Sequence, residues 1–160
     1  MHNTPLDPQA ASVQAQALAA AVGEALYARD PASKALGMQI VEMRAGYARM
    51  SMTIRPDMLN GHQNCHGGFI FTLADSAFAF ACNSHNINTV GAACSIDYLA
   101  PGRLGDVLTA EAVEQVQTGR SGVYDVTIRN QENRIIALFR GKSHRVGGEI
   151  LPTKESQETL

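Results

Sequence analysis

The sequence predicts an α+β fold, in which a curved antiparallel sheet wraps around one long buried helix and a separate N-terminal helix comes first. Two observations predict it. Residues 67–83 (GGFIFTLADSAFAFACN) are apolar on nearly every side, and a helix of this kind belongs in a core. Strand-like segments flank this helix, two before it and four after it, with turn residues between them. A single sheet wrapped around the helix buries the apolar face of every segment.

The elements before the buried helix follow from their patterns. Residues 1–8 contain two prolines and predict a loose lead-in. The alanine-rich stretch 9–28 predicts an amphipathic helix, which the Asp30-Pro31 pair ends. Residues 36–43 alternate in part and predict a first strand, and residues 46–54 alternate strictly and predict a second, closed by Pro56. The apolar positions of the N-terminal helix are Val13, Ala17, Leu18, Ala21, Val22, Ala25 and Leu26.

Four further strands are predicted after the buried helix, over residues 90–99, 107–117, 122–130 and 134–146. Gly119 and Gly122 mark one turn and residues 130–133 another, so we expect an antiparallel meander. The residues after Gly147 predict a polar, frayed tail. The chain therefore divides into an N-terminal helical extension (1–34), one main domain (35–148) and a C-terminal tail (149–160).

Composition limits the functional classes. With 160 residues, 45% apolar and 18% charged, the chain fits one ordinary domain with a core. The net charge of −2 excludes a broadly basic nucleic-acid surface but leaves room for a local basic patch. Three cysteines without paired spacing predict reduced thiols. The apolar runs are shorter than a membrane span, and the N-terminus lacks the pattern of a signal peptide. We therefore expect a cytoplasmic protein without nucleic-acid or membrane partners.

Unusual polar residues gather just before the buried helix, where Asn60, His62, Asn64 and His66 lead into a glycine pair. Glycine lets a ligand approach the backbone closely, and the first turn of a helix leaves N–H groups without helical partners. Such donors suit a developing oxyanion. Asp75, about two turns further on, costs free energy inside an apolar helix unless it is paired or faces a cavity. Asp75 has a structural alternative as a cap of buried backbone groups, but the neighbouring polar loop favours a functional role.

The spacing of these groups adds a constraint. Gly67 and Asp75 are eight positions apart, which is about 12 Å along a helix. An oxyanion donor and a base that act on one carbonyl must both lie within a few ångströms of it. One helix has difficulty supplying both groups, whereas two copies of the helix side by side can supply one each. The sequence thus points to a site between subunits.

Several motifs together are similar to the signature of the phenylacetate-degradation (PaaI-type) hotdog thioesterases. The main run is residues 60–68 (NGHQNCHGG), followed by residues 73–75 (LAD) and 77–84 (AFAFACNS). Later agreement comes from residues 97–102 (DYLAPG), Gly105-Asp106, residues 122–125 (GVYD) and 137–143 (ALFRGKS). The resemblance covers roughly residues 35–148. It implies the hotdog fold, a homo-oligomer built as a dimer of dimers with active sites between subunits, and hydrolysis of aryl- or hydroxyarylacetyl-CoA.

The resemblance also implies residue roles. Asp75 matches the aspartate that activates water or attacks the thioester, the amide of Gly67 polarises the thioester carbonyl, and Asn60 and His66 line the site. From the residues alone, both routes remain open for Asp75. The amide of Asn60 can position the water or the carboxylate, and His66 either bonds near the carbonyl or caps the helix. Gly68 gives the substrate access to the backbone.

Coenzyme A carries several phosphate charges, so its site needs cations. Candidates are Arg120, Lys142 and Arg145, with Arg103 as a further one, and Ser121 and Gly122 can add hydrogen-bond donors. Phe69, Phe71, Phe78 and Met58 are either walls of an acyl pocket or core residues. No motif for a metal or redox cofactor is evident, so none is expected.

Other interpretations are weaker. His62, Cys65 and His66 supply only three potential zinc ligands, and no second set follows. Cys65 as a thiolate nucleophile would need the adjacent His66 to converge on the same point, which neighbouring side chains rarely do. Asp57 and His62 have a spacing that resembles some hotdog enoyl-CoA hydratases, but they lie in a loop. A non-catalytic acyl-CoA-binding regulator would normally carry a pair of DNA-binding helices, whereas the N-terminal helix is single and nearly free of basic residues.

Overall fold

The computed structural model describes residues 8–152; residues 1–7 of the predicted lead-in and 153–160 of the predicted tail lie outside it. The two main helices are α1 (Pro8–Ala28) and α3 (Gly67–Asn83), with a short α2 (Pro31–Ala35) after α1. The strands are β1 (Gln39–Arg44), β2 (Tyr47–Thr53), β3 (Thr89–Tyr98), β4 (Val107–Thr118), β5 (Ser121–Arg129) and β6 (Ile135–Arg145). The Asp30-Pro31 pair ends α1 as predicted and also starts α2, because the Asp30 carboxylate accepts a hydrogen bond from the Ser33 amide at 3.0 Å.

Six antiparallel strands in the order β1-β2-β4-β5-β6-β3 curve around α3, which confirms the predicted α+β fold. The predicted meander is wrong for β3, which pairs with β6 and not with β4. The β3–β4 connection crosses the end of the sheet instead. Near its start the Leu99 amide donates to the Ile136 carbonyl at 2.9 Å, and near its end the Gly105 amide donates to the Ile54 carbonyl at 3.0 Å. Alternation identifies a strand's buried face but does not select its neighbour.

The core forms between α3 and the concave face of the sheet. Phe78 of α3 is 1% exposed, and its ring lies 5.5 Å from that of Tyr124 and 5.9 Å from that of Phe139. β2 contributes the side chains of Met50 and Met52 to this core, and both are buried. Burial of these apolar surfaces is the main stabilising term of the fold. Among the described residues, no helix combines the length and the apolar character that crossing a membrane requires.

Glycines let α3 lie close to β3 and β6. A methyl group placed on Gly141 of β6 would lie 2.8 Å from the Phe78 ring, and one placed on Gly91 of β3 would lie 3.3 Å from it. Contacts below 3.4 Å are tighter than a packed core normally allows. The short distance between the helix and this half of the sheet therefore requires glycine at both positions.

Helix α1 buries less of its apolar stripe than predicted. Val22 is buried, as expected, but Val13 is 65% exposed and Leu18 is 37% exposed. The reason is that α1 contacts β1 mainly through its second half. There Gly23 lies against the Met43 side chain. Before the middle of the helix, the Gln16 side-chain amide also donates to the Met43 carbonyl at 2.7 Å. Ala17 and Ala21 are likewise exposed.

The first residues of the predicted frayed tail are docked. Asn86, in the α3–β3 loop, accepts from the Leu151 amide at 2.8 Å and donates to its carbonyl at 2.9 Å. Ile150 is 8% exposed. The prediction is wrong here because composition does not show that a loop asparagine can pair with the backbone of a polar segment.

Candidate active site

The first turn of α3 is organised by His66 and a glycine pair. His66 is the N-cap, and its Nδ1 accepts a hydrogen bond from the Gly68 amide at 3.0 Å. An accepting Nδ1 is unprotonated, so the neutral ring carries its proton on Nε2. Of the two predicted roles for His66, the cap is the one that this bond shows. The His66 side chain lines a separate pocket with Gly68, Phe69 and Thr72. The Gly67 amide has no acceptor among the described residues, as expected for the first N–H of a helix.

The polar loop before α3 is folded around Asn60. Its Oδ1 accepts from the His62 amide at 2.9 Å and from the Asn64 amide at 3.2 Å. Its backbone amide donates to the Asn64 carbonyl at 2.8 Å. The side-chain oxygen is thus used to hold the loop, and the NH₂ group has no acceptor among the described residues. That NH₂ group is available as a donor.

The loop, the start of α3 and the end of β3 line an open cavity of about 430 Å³. Asn60 and Gly67 both line it, together with Ile70 and Tyr98. Tyr98 also donates from its hydroxyl to the Gly67 carbonyl at 2.9 Å. Two of the predicted catalytic residues therefore line one cavity, and each has an N–H group without an acceptor among the described residues.

Asp75 lies about two turns along α3 and does not line this cavity. It is half-buried, and this burial raises the pKa of its carboxyl group, while a hydrogen bond from Cys94 acts to lower it. The Cys94 thiol of β3 donates to Asp75 Oδ1 at 3.9 Å. Within the described part of the chain, this thiol is the side chain that hydrogen-bonds to the carboxylate. One chain therefore does not bring Gly67 and Asp75 together.

The predicted coenzyme A residues lie at the other end of the sheet, where α3 ends. Arg145 of β6 is opposite Thr89, the first residue of β3. Thr89 donates from its amide to Oδ1 of Asn83, the last residue of α3, at 2.9 Å. The Arg145 amide donates to the Arg120 carbonyl at 2.8 Å, so these two residues are neighbours. The pairing of β5 with β6 places the remaining predicted residues at the same end of the sheet; they are Ser121, Gly122 and Lys142.

These residues differ in what they can offer. Arg120 and Lys142 are exposed and form no ion pair within the described residues. Gly122 is buried, and a methyl group on it would lie 2.5 Å from Gln117 Oε1 and 2.7 Å from Ser143 Oγ. Its missing side chain therefore serves packing. Arg103 does not line the cavity, but its Nη1 donates at 3.0 Å to Oδ1 of Asn64, which does.

The alternative chemistries gain no geometric support. Cys65 is buried, which raises its pKa to about 11 and keeps it a thiol rather than a thiolate nucleophile. Asp57 pairs with Arg55 through two contacts of 3.1 Å instead of with His62. Within residues 8–152, no group of three or more histidine, cysteine or acidic side chains is arranged to hold a metal ion. Met58 and Phe78 belong to the core.

Two residues at this site were not predicted as functional, namely Cys94 and Tyr98. Together with Ile96 they are alternate residues of β3, so their side chains lie on one face of the strand. With β3 paired to β6, this face is the one towards α3. Cys94 contacts Asp75 and Tyr98 contacts Gly67. In the sequence, these residues share only their alternate spacing along the strand. That spacing shows which residues of α3 they contact only when the place of β3 beside α3 is known.

Comparison with known proteins adds independent findings. The sequence model of the thioesterase superfamily matches residues 62–137 of this chain. The chain is 54% identical over 126 residues to the acyl-coenzyme A thioesterase PaaI of Escherichia coli (strain K12), covering 79% of this chain and 90% of that protein. The structure of the E. coli PaaI protein from the phenylacetic acid degradation operon superimposes with a TM-score of 0.83 at 51% identity, over 84% of this chain and 97% of that one.

A further solved structure resembles the chain more distantly. It is a hypothetical thioesterase protein from Streptococcus pneumoniae TIGR4 with coenzyme A, similar at a TM-score of 0.68 and 32% identity. The match covers 70% of this chain and 90% of that one.

Proposed function

The chain belongs to the thioesterase superfamily and is an acyl-CoA thioesterase with the hotdog fold, and from that premise we propose that it hydrolyses aryl- or hydroxyarylacetyl-CoA to the free acid and CoA. The observation that carries the proposal is the cavity that Gly67, with its unpaired amide, and Asn60, with its unpaired side-chain NH₂ group, both line. The phenylacetic acid degradation operon of the E. coli relative supports the choice of acyl group.

In this mechanism the Gly67 amide donates to the thioester carbonyl oxygen. Negative charge grows on that oxygen as the carbonyl carbon is attacked, so a preorganised donor stabilises the transition state more than the ground state. The partial positive charge at the start of α3 adds to this effect. The NH₂ group of Asn60 is a second donor in the same cavity.

Asp75 supplies the base or the nucleophile. As a base, it takes a proton from a water molecule that attacks the carbonyl carbon, and CoA then leaves as the thiol. As a nucleophile, it forms a mixed anhydride that water hydrolyses afterwards. Burial raises the pKa of the Asp75 carboxyl group, which makes the carboxylate a stronger base than an exposed aspartate.

Both groups act on one carbonyl if two chains pair through β3. This strand is at the edge of the sheet, is exposed over most of its length and contains neither proline nor lysine, the usual protections of an edge. An antiparallel pair of β3 strands centred on Ile96 sets Tyr98 of one chain opposite Cys94 of the other. Since Tyr98 contacts Gly67 and Cys94 contacts Asp75, Gly67 of one chain then lies beside Asp75 of the partner subunit. This supports a dimer with shared sites as the unit of a dimer of dimers.

The same pairing accounts for the distant cations. The end of the sheet that carries Arg120, Lys142 and Arg145 in one chain then lies near the cavity of the other. We therefore assign these residues, with Ser121 and the backbone of Gly122, to the CoA moiety bound at the partner's cavity. The free thiols of Cys65, Cys82 and Cys94 agree with a cytoplasmic location, where thiols stay reduced.

The deciding experiment is thiol release from phenylacetyl-CoA and its ring-hydroxylated analogues, followed with a disulfide reporter, for the wild type and Asp75→Asn. The variant keeps the size of the side chain but removes the base, so kcat is expected to fall by about a hundredfold or more, roughly 3 kcal/mol of barrier. Asp57→Asn is the matched control, because its carboxylate is exposed and paired with Arg55, and it should retain wild-type rates.

Other outcomes would redirect the assignment. Undiminished thiol release by Asp75→Asn would make Asp75 a structural residue. Loss of enoyl-CoA absorbance without thiol release would favour a hydratase, and tight acyl-CoA binding without turnover would favour a regulator. No release from any aryl or alkyl thioester would exclude the proposed reaction.

A further inference from the structure

We infer that Tyr98 is a positioning residue that holds the first turn of α3, so that the Gly67 amide stays directed at the cavity. This inference rests on the proposed function, because it assigns Tyr98 a task in carbonyl polarisation. Tyr98 is the last residue of β3, on the row that faces α3. It does not act on the substrate itself but works through the backbone of Gly67.

The hydroxyl of Tyr98 fixes one end of a peptide unit whose other end is already held. Its Oη donates to the Gly67 carbonyl at 2.9 Å. The N–H of the same peptide, which belongs to Gly68, donates to His66 Nδ1 at 3.0 Å. With both ends bound, the peptide plane between Gly67 and Gly68 is held in one orientation. The preceding peptide, which carries the Gly67 N–H, is held at its own carbonyl, because that of His66 accepts from the Phe69 amide at 3.0 Å. The two planes on either side of Gly67 together set the direction of its N–H.

The ring of Tyr98 occupies the place of a side chain at position 67. A methyl group on Gly67 would lie 3.0 Å from Tyr98 Cζ and 3.1 Å from Oη. The ring therefore packs against the backbone of Gly67 at a place where a side chain would press on it. The ring is also part of the cavity wall, and Tyr98 as a whole remains 51% exposed.

The start of α3 needs such a support. A helix that opens with two glycines has more backbone freedom in its first turn than one that opens with any other pair. An oxyanion donor is effective only when it is held in place before the reaction, because reorientation during the reaction raises the barrier. Tyr98 restricts the freedom that the glycines introduce and leaves the approach to the Gly67 amide open.

The test compares Tyr98→Phe with Tyr27→Phe. Each variant keeps the ring and removes one hydroxyl that donates to a backbone carbonyl, but the Tyr27 bond, to Met38 at 2.6 Å, lies near α1 and away from the cavity. In Tyr98→Phe, kcat for phenylacetyl-CoA is expected to fall by about three- to tenfold, with KM changed less than about twofold. Tyr27→Phe is expected to keep both constants.

Hydrogen exchange supplies a readout that does not depend on turnover. Amide exchange in a peptide spanning residues 67–75, followed by mass spectrometry, is expected to speed up by about threefold or more in Tyr98→Phe and to stay unchanged in Tyr27→Phe. Unchanged exchange in Tyr98→Phe would overturn the inference. So would an unchanged kcat in an active enzyme. If the wild type releases no thiol, the proposed function fails separately, and the exchange rates still decide whether Tyr98 holds the turn.

Discussion

Asp75 combines two environments that act on its carboxyl group in opposite directions. Burial raises the pKa of the group, and the Cys94 thiol lowers it by donating to Oδ1. A thiol is a weak donor, so it orients the carboxylate without withdrawing much of its basicity. An arginine at the same place would hold the pKa low and weaken the base. The pairing of a carboxylate with a thiol is thus suited to a residue that must accept a proton or attack a carbonyl near neutral pH.

Replacing Cys94 by alanine should therefore move the acid limb of the pH profile. The active form of Asp75 is the carboxylate, so kcat/KM rises as the pH passes through the pKa of its carboxyl group. Loss of the thiol removes a contribution that lowers this pKa, and the limb should shift to higher pH. The measurement is kcat/KM for phenylacetyl-CoA across the acidic range.

Cys94→Ser serves as the matched control because a hydroxyl keeps a donor at the same place, and its acid limb should lie at or below that of the wild type. A limb that moves to lower pH in Cys94→Ala, or that is the same in the alanine and serine variants, would contradict this role. Cys82, on α3 itself, is unchanged in both variants and stays uncharged over this range, because burial, with the nearby charge of Asp75, raises the pKa of its thiol to about 12.

At the scale of elements, α3 is anchored at both ends by side chains from the sheet. Its start is held by Tyr98. Beyond its end, Glu114 of β4 accepts from the Tyr124 hydroxyl at 2.5 Å and pairs with His85 Nε2 at 2.9 Å. The register of β4 with β5 shifts just after this residue, between Glu114 and Val116. Burial acts to raise the pKa of Glu114, but the bonds from Tyr124 and His85, with the charges of His85 and Arg145, outweigh it and lower the pKa.

This network predicts a pH-dependent stability. A carboxyl group with a pKa lower in the folded than in the unfolded state stabilises the fold above its unfolded pKa, and the contribution is lost as the pH falls through the folded pKa. Tyr124→Phe should lower the free energy of unfolding at neutral pH by about 1.5–3 kcal/mol, because it removes a bond to a charged acceptor. The deficit should shrink on acidification, as Glu114 becomes protonated.

Urea unfolding at neutral and acidic pH measures this difference. Tyr27→Phe, whose hydroxyl bonds a neutral carbonyl, should show a deficit that does not change with pH. A Tyr124→Phe deficit that is equally constant would indicate that the hydroxyl contributes only packing.

For the whole molecule, the separation of Gly67 from Asp75 means that each chain carries complementary halves of two sites. Hybrid dimers test this. Asn60→Asp keeps the oxygen that holds the loop and removes the donor NH₂ group, whereas Asp75→Asn removes the base. In a dimer with one variant of each kind, one shared site contains both changes and the other contains neither. Purified hybrids, selected with two different tags, should recover about half of the wild-type activity, because one of two sites is intact.

If each site lay within one chain, every site in the hybrid would carry one change, and thiol release would stay as low as in the parent variants. The parent homodimers, measured beside the hybrid, give that baseline. Recovery would also support the β3 pairing, since that pairing brings the two halves together.

The sequence predicted best what depends on a segment's own pattern. The bounds of α3 follow from a run that is apolar on all sides, and the glycines at its start marked the cavity. The place of β3 beside β6 was missed, because it depends on how residues 99–106 cross the end of the sheet. The roles of Cys94 and Tyr98 were missed for the same reason, since both exist only when β3 lies along α3. The exposure of Val13 depends likewise on where α1 meets β1.

The contact between Gly141 and the Phe78 ring has a consequence for how this enzyme can change over time. Because residue 141 has no side chain, α3 lies close to β6 there, and Gly141 pairs with Cys94, the residue that bonds Asp75. Evolutionary pressure on catalysis therefore extends to a position that contacts neither substrate nor catalytic group. A substitution of Gly141 by alanine would push α3 away from the sheet, and the reaction would change because the helix had moved and not because a reacting group was lost.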